Sequence, residues 1–331
     1  MVTFTFTVDD LARTRFAISP MWELVSGLGL LRDPSLASLH LPWIEQARAA
    51  AGEVDSTRLL ALIAPRAYMP DFLTPPPSSP LATFEDELRL IRSTPAAQVR
   101  REMGFFLGRR KPPETLLPLL ERPGSALAEL ADTLTQLWER TLEPHWPRLR
   151  ALLEADVLYR SRRLTEGGPA RLFDDLHPHV RFGAARLEVQ AACDVDEVAL
   201  GGRGLLLVPS AFSWQNPRLI IDPPWQPTLL YPARGVALLW EPGFVRTSKA
   251  LAGVLGQTRA SLLQALDAPV STTDLAHRLE LSPGGVSQAL TSLRDAGLVT
   301  GARRGRSVHY LRTPTGDRLV EATGGVATAR A

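Results

Sequence analysis

The chain has 331 residues, of which 45% are hydrophobic, so it is long enough for two or three domains with buried cores. Its net charge of +2 hides an asymmetry: basic side chains exceed acidic ones by five from residue 246 onward, whereas residues 1–245 carry a net charge of −3. Arg, Asp, Pro or Gly interrupts every apolar run before it reaches membrane-spanning length, and the N-terminus lacks the pattern of a secretory leader. A single cysteine, Cys193, excludes an internal disulfide and a cysteine-rich metal site. We therefore expect a cytoplasmic protein, with no membrane partner, whose basic C-terminal part binds nucleic acid.

Residues 1–176 are predicted to form a mostly helical N-terminal domain. Val2 to Val8 alternates apolar and polar residues, which favours a half-buried strand before the helices begin. The longest helices are predicted at Ser125–Leu142 and Trp146–Leu164, and they would form the spine of this domain. A proline-rich stretch at Thr74–Pro80 predicts a stiff loop between packed elements.

Residues 177–245 are predicted to form a small antiparallel β region. Five short apolar or alternating runs are bounded by Gly, Pro and Asn, which is typical of strands joined by turns. These runs are Val180–Phe182, Arg186–Val189, Gly204–Pro209, Arg218–Ile221 and Thr228–Pro232. Gly235–Trp240 could add another strand, and the whole region could belong to the same regulatory domain as the helices before it.

Residues 246–331 contain two consecutive helical patterns joined by a tight connection. Ser271–Asp274 opens the first of these helices with a capping-box-like pattern. Ser282 and Pro283 suit the N-cap and first position of the second, in which Val286, Leu290 and Leu293 give one apolar stripe. Gly297 is expected to end this helix, and a hairpin follows whose tip carries Arg303, Arg304 and Arg306.

This C-terminal stretch resembles the winged helix-turn-helix of ArsR-type bacterial regulators, with the MarR type as a near neighbour. The matching segments are Leu275-Ala276, Val286-Ser287 with Leu290, Leu293–Val299, and Gly305-Arg306 with Tyr310. The resemblance covers about a quarter of the chain. The layout, including Ser19-Pro20 and Trp22-Glu23 near the start, is also similar to that of actinobacterial ArsR-like regulators that carry a large N-terminal domain of unknown role. The two resemblances imply an α+β fold with a C-terminal winged helix-turn-helix. They also imply that the chain is a dimeric transcriptional regulator.

Eleven residues at the start of the first helix, at the start and on the polar face of the second helix, and in the hairpin are candidates for contact with double-stranded DNA. They are Thr272, Ser282, Gly284, Ser287, Gln288, Thr291, Arg294, Arg303, Arg304, Arg306 and His309. Taken singly, each pattern is more often ordinary scaffolding or a solvated surface. Their occurrence together and in order favours DNA binding, with a near-palindromic operator for a homodimer.

The sequence predicts no catalytic residue, metal site or cofactor. The helix that holds cysteine ligands in ArsR-type metal sensors has none here, and the tail from Asp317 to Ala331 has no histidine. His177 and His179 are too few for a metal site without distant partners. No nucleophile elbow, Walker A motif or dinucleotide fingerprint is present.

The remaining candidate is an effector site for a small molecule. All seven tryptophans precede the DNA-binding stretch, and Trp214, between two predicted strands, is the one we single out as a ligand-binding residue. The predicted function is a dimeric repressor that responds to a small-molecule effector. The rivals are an enzyme or protein-interaction module that uses its winged helix for docking, and an architectural DNA-binding protein with little sequence preference.

Overall fold

The computed structural model describes residues 1–33, 38–63, 68–191, 195–213, 216–240, 249–266, 269–279, 281–304 and 307–324. The chain divides into two compact units, Met1–Trp240 and Glu241–Ala331. Both units contain helices and strands, so the predicted α+β fold class is confirmed. The boundary predicted between residues 245 and 246 falls within 241–248, which lie outside the described residues.

Helices dominate the first unit and enclose its larger hydrophobic core. They are α1 (Val8–Arg13), α2 (Pro20–Arg32), α3 (Leu41–Ala51), α4 (Thr57–Leu62), α5 (Phe84–Arg92), α6 (Ala96–Leu107), α7 (Leu117–Glu121), α8 (Pro123–Leu137) and α9 (Trp146–Phe173). Helix α8 packs against α4, α5, α6 and α7 through a buried stripe that includes Leu127, Leu130 and Leu134. It ends earlier than predicted, because a π-helical turn at Trp138–Leu142 and a 3₁₀ turn at Glu143–His145 connect it to α9.

A buried carboxyl group fixes the start of α2 against α5. Ser19 caps α2 by accepting a hydrogen bond from the Trp22 amide at 3.0 Å. Glu87 of α5 accepts hydrogen bonds from the Ser19 hydroxyl at 2.6 Å and from the Met21 amide at 2.8 Å. Glu87 is fully buried, and this burial raises its pKa to about 8. Two helices far apart in the chain are thus joined at a helix N-terminus.

Eight strands of the first unit form two four-stranded sheets. They are β1 (Val2–Thr5), β2 (Arg15–Phe16), β3 (Val180–Gly183), β4 (Arg186–Val189), β5 (Glu197–Ala199), β6 (Leu206–Ser210), β7 (Arg218–Ile220) and β8 (Thr228–Pro232). The strand orders are β3-β4-β1-β5 and β2-β6-β8-β7. Residues 180–232 therefore share both sheets with strands from the start of the chain, and the helical and β regions belong to one unit.

The antiparallel pairing predicted for the β region is only partly correct, because both sheets are mixed. Strands β1 and β4, β3 and β4, and β7 and β8 are antiparallel, whereas β1 and β5, β2 and β6, and β6 and β8 are parallel. In β6, Leu206 and Val208 belong to the helical core, while Leu207 belongs to a second core between the sheets. Burial on both faces is typical of parallel strands. The short apolar run that forms β6 does not by itself indicate whether its neighbours are parallel or antiparallel. The further strand considered at Gly235–Trp240 is a 3₁₀ turn at Val236–Leu238.

The second unit has a core of its own beneath a three-stranded sheet. Its elements are α10 (Lys249–Leu255), α11 (Gln257–Ala265), β9 (Val270–Ser271), α12 (Thr272–Arg278), α13 (Pro283–Asp295), β10 (Val299–Arg304), β11 (Ser307–Arg312) and α14 (Pro314–Gly324). Strand β11 lies between β10 and β9, and both neighbours are antiparallel to it. Leu263 of α11, Leu275 of α12 and Leu290 of α13 meet in the core.

Two classes of feature are absent from the part of the chain that the structure describes. None of its helices combines the length and apolar composition needed to cross a membrane. No group of three or more His, Cys, Asp or Glu side chains is placed there to hold a metal ion.

Candidate nucleic-acid interface

Helix α13 begins and ends at the residues that the sequence predicts. Ser282 is its N-cap and accepts a hydrogen bond from the Gly285 amide at 3.2 Å, with Pro283 at the first helical position. At the other end, Gly297 has a φ of +69°, which favours glycine, and its amide donates to the Arg294 carbonyl. The Leu298 amide donates to the Leu293 carbonyl at 2.9 Å, which completes a Schellman-type ending.

One face of α13 is buried in the core of the second unit, and exposed polar side chains lie on the opposite face. Val286, Leu290 and Leu293 are buried in the core of the second unit. Ser287 and Gln288 are exposed, on the side away from that core. These two side chains come from the N-terminal half of the helix, which is the half that contacts base edges in helix-turn-helix complexes.

Thr291 and Arg294 already have partners within the helix. The Thr291 hydroxyl donates to the Ser287 carbonyl at 3.0 Å, so its oxygen can accept from a ligand but its proton is engaged. Arg294 lies in the last turn, half exposed, and its guanidinium is 3.6 Å from the Asp295 carboxylate. Because Asp295 is also exposed, this weak ion pair leaves Arg294 able to turn toward a phosphate.

The first turns of α12 and α13 contain two more candidates. Thr272 is half-buried in the first turn of α12, next to the cap formed by Ser271. The Ser271 hydroxyl accepts from the Asp274 amide at 3.2 Å, which is the serine half of the predicted capping pattern, and donates to the Asp274 carboxylate at 2.6 Å. Gly284 is exposed near the start of α13, and a Cβ added there would meet nothing within 4 Å.

The hairpin predicted as a wing consists of β10 and β11. Arg303 pairs with Val308 and is exposed, and Arg304 pairs with Ser307 at the end of the hairpin. Arg306 and the side chain of Arg304 lie outside the described residues. His309 lies in the middle strand, half-buried, and its Nδ1 atom is buried with no hydrogen-bond partner among the described residues.

Arg312 has a structural role that the sequence analysis missed. Its guanidinium donates to the carbonyls of Leu263 and Gln264 at 3.0 Å each, and to the Asp317 carboxylate at 2.7 Å. These carbonyls belong to the last turn of α11, where a cation interacts favourably with the helix dipole. Arg312 therefore joins the wing to α11 and α14, and it differs in this respect from the arginines at the hairpin tip.

Trp214, the ligand-binding residue singled out in the sequence, lies outside the described residues together with Gln215. The loop that contains it follows β6, whose last residue, Ser210, is fully buried.

Comparisons with known proteins agree with the geometry of the second unit. Residues 257–302 match the model of a helix-turn-helix domain family. Residues 111–237 match the model of a family of unknown function, DUF5937, and this match runs across the predicted boundary at residue 177. No curated protein and no solved structure matches the chain.

The fold, the capped helix pair and the family match together define the class of the second unit. It is a winged helix-turn-helix domain, in which α12 and α13 form the helix-turn-helix and β10 and β11 form the wing. The chain is accordingly a DNA-binding regulator with a large N-terminal unit, part of which matches the model of a family of unknown function.

Proposed function

We propose that the chain is an ArsR-type transcriptional repressor that acts as a homodimer in the bacterial cytoplasm and responds to a small-molecule effector through its first unit. The observation that supports it best is the polar, exposed N-terminal half of α13 beside a hairpin with exposed Arg303. Ser287, Gln288 and Thr291 would read bases in the major groove. The arginines of the wing would contact phosphates or the flanking minor groove.

The homodimer sets the expected form of the operator. Two recognition helices related by two-fold symmetry would enter major grooves about one helical turn apart, so the operator would be near-palindromic. An effector regulates such a dimer only if its affinity differs between the DNA-bound and the free conformation. The proposal assigns no catalytic role to the chain.

The test is selection of bound sequences from random duplex DNA with the full chain at about 0.15 M salt, where non-specific binding is largely screened. Enrichment of a two-fold symmetric sequence would support a dimeric regulator and would identify target promoters. Enrichment of an asymmetric sequence would remove the dimer from the proposal. Without any enrichment the proposal fails, and the winged helix becomes an architectural or docking module.

A further inference from the structure

A cavity of about 230 Å³ in the first unit is lined by aromatic side chains from three helical segments. Phe84 begins α5, Trp138 begins the π-helical turn after α8, and Trp146 begins α9. The rings of Phe84 and Trp138 stack with centroids 4.7 Å apart. The ring of Trp146 is 5.4 Å from that of Trp138 and is turned by 64°. Aromatic rings in two orientations therefore line one small cavity.

The charged residues around this cavity favour a positive ligand. Glu85 and Glu143 line it, are exposed, and form no ion pair within the described part of the chain. Arg150 is the basic residue among the lining side chains, and its guanidinium donates to the Glu154 carboxylate at 2.8 Å. The positive charge of Arg150 is thus offset, whereas the two carboxylates are not.

The helix N-termini beside the cavity do not reverse this preference. The start of α5 is closed by a capping box in which Thr83 and Asp86 satisfy each other's backbone groups, and its first turn carries three acidic residues. In α9 the second position is Pro147, which has no N–H to donate to an anion. Neither helix start therefore offers a ready site for a negative group.

We propose that this cavity binds a small organic cation, a quaternary or protonated amine with apolar substituents, and that such a cation is the effector. The second half of this inference rests on the proposed effector response. Phe84 and Trp138 stack on each other and are buried, so the half-buried Trp146 would supply most of the cation–π attraction, and the free carboxylates add a Coulombic attraction. The cavity is smaller than the roughly 300–1,000 Å³ of drug-sized pockets, which restricts the ligand to few heavy atoms.

Three probes of nearly the same shape separate charge from size: choline, 3,3-dimethyl-1-butanol and 3,3-dimethylbutanoate. Their binding to the full chain is measured by calorimetry, with tryptophan fluorescence as a second readout. Choline should bind saturably, with a dissociation constant at least about tenfold below that of the neutral alcohol, and the carboxylate should not bind. Equal binding of all three, preference for the carboxylate, or no saturation by choline below about 50 mM would overturn the inference.

Substitutions of the lining residues test whether choline binds in this cavity. Glu143→Gln should raise the dissociation constant several-fold, and Trp146→Leu should raise it further. Arg150→Gln should lower it, because a competing positive charge is removed. Glu139→Gln is the matched control, since Glu139 is exposed on the same π-helical turn as Trp138 but does not line the cavity. If Glu143→Gln and Glu139→Gln change choline binding equally, selection of the cation by the cavity carboxylates is wrong.

The effector role is tested separately by measuring affinity for the selected operator by fluorescence anisotropy with and without choline. A change of several-fold that is lost in Trp146→Leu would support it. Choline binding without any change in operator affinity would overturn the effector role alone. Choline binding by a chain that selects no DNA sequence would contradict the proposed function and leave the cation site standing.

Discussion

Gly284 occupies the second helical position of α13, directly after Pro283. An added Cβ would meet no protein atom within 4 Å, so packing does not require glycine there. Glycine inside a helix is less favourable than alanine by up to about 1 kcal/mol, so its presence has a small energetic disadvantage. Close approach of a DNA backbone to the start of α13 would account for the missing side chain.

Replacement of this glycine by a large side chain separates the two explanations. Gly284→Leu should leave the domain folded, because the space around the Cβ is open, but should lower operator affinity at least about tenfold by steric exclusion. Gly124→Leu is the matched control: Gly124 follows Pro123 at the second position of α8 and also has no atom within 4 Å of an added Cβ. Anisotropy titrations in which both variants bind like the parent would place DNA away from this end of α13.

Arg303 is exposed in the wing and forms no ion pair within the part of the chain that the structure describes. If it neutralises one phosphate, Arg303→Gln should reduce the slope of log affinity against log salt by about 0.9 and weaken binding similarly for all sequences. The measurement is an anisotropy titration of operator and scrambled duplex at four salt concentrations. An unchanged slope would remove Arg303 from the DNA contact.

At the scale of elements, Arg312 holds the end of the wing against two helices. The side chain is 14% exposed and donates to two carbonyls of α11 and to Asp317 of α14. Arg312→Gln should lower the free energy of unfolding of the second unit by about 1–3 kcal/mol, because charge-assisted hydrogen bonds are lost and buried acceptors are left unpaired. Far-UV circular dichroism during urea unfolding measures this. Arg318→Gln, an exposed position in α14, should change it by less than about 0.5 kcal/mol.

The sequence predicts features that depend on neighbouring residues, such as the ends of α13, and misses those that depend on distant residues, such as the contacts of Arg312. The start and end of α13 depend on residues next to it, Ser282 and Gly297, so both ends were predicted correctly. The acceptors of Arg312 lie 48 and 49 residues away in the chain, and nothing near residue 312 indicates them. The parallel pairing of β1 with β5 could not be predicted for the same reason, because most of the first unit's sequence separates the two strands. The cavity likewise combines three helix starts that only the tertiary fold brings together.

At the scale of the whole molecule, the first unit buries several ionisable groups. Their contributions to the pH dependence of the free energy of unfolding have opposite signs. Burial raises the pKa of Glu23 to about 7 and of Glu87 to about 8. Burial, together with the charges of Glu102 and Asp222, raises the pKa of Asp71 to about 8. Burial lowers the pKa of His40 to about 4, and its ring accepts a hydrogen bond from the Trp240 indole at 2.8 Å. Asp71, Glu87 and His40 are therefore held mainly in their neutral forms at pH 7, whereas Glu23 is neutral only below that pH.

The sign of the pH dependence follows from these directions. A carboxyl group whose pKa is raised on folding contributes stability that is complete below its unfolded pKa and is lost as the pH rises toward its folded pKa. For Glu23, Glu87 and Asp71 this loss extends from about pH 4 to pH 7 or 8. His40 acts in the opposite direction, since its lowered pKa means that stability is lost as the pH falls from 6.5 toward 4. Above pH 6.5 only the carboxyl groups act, so the first unit should become less stable between pH 6.5 and 8.

Glu87→Gln removes one of the titrating groups behind this dependence with little change in shape. A glutamine can accept from the Met21 amide and donate to the Ser19 hydroxyl, so the joint between α2 and α5 can persist without a titrating group. The variant should flatten the fall in unfolding free energy above pH 6.5 by up to about 1.4 kcal/mol per pH unit. Urea unfolding followed by tryptophan fluorescence reports on this unit alone, because every tryptophan lies within residues 1–240. Glu139→Gln, at an exposed position, should retain the parental slope, and an equally steep slope in Glu87→Gln would mean that Glu87 is charged in the folded protein.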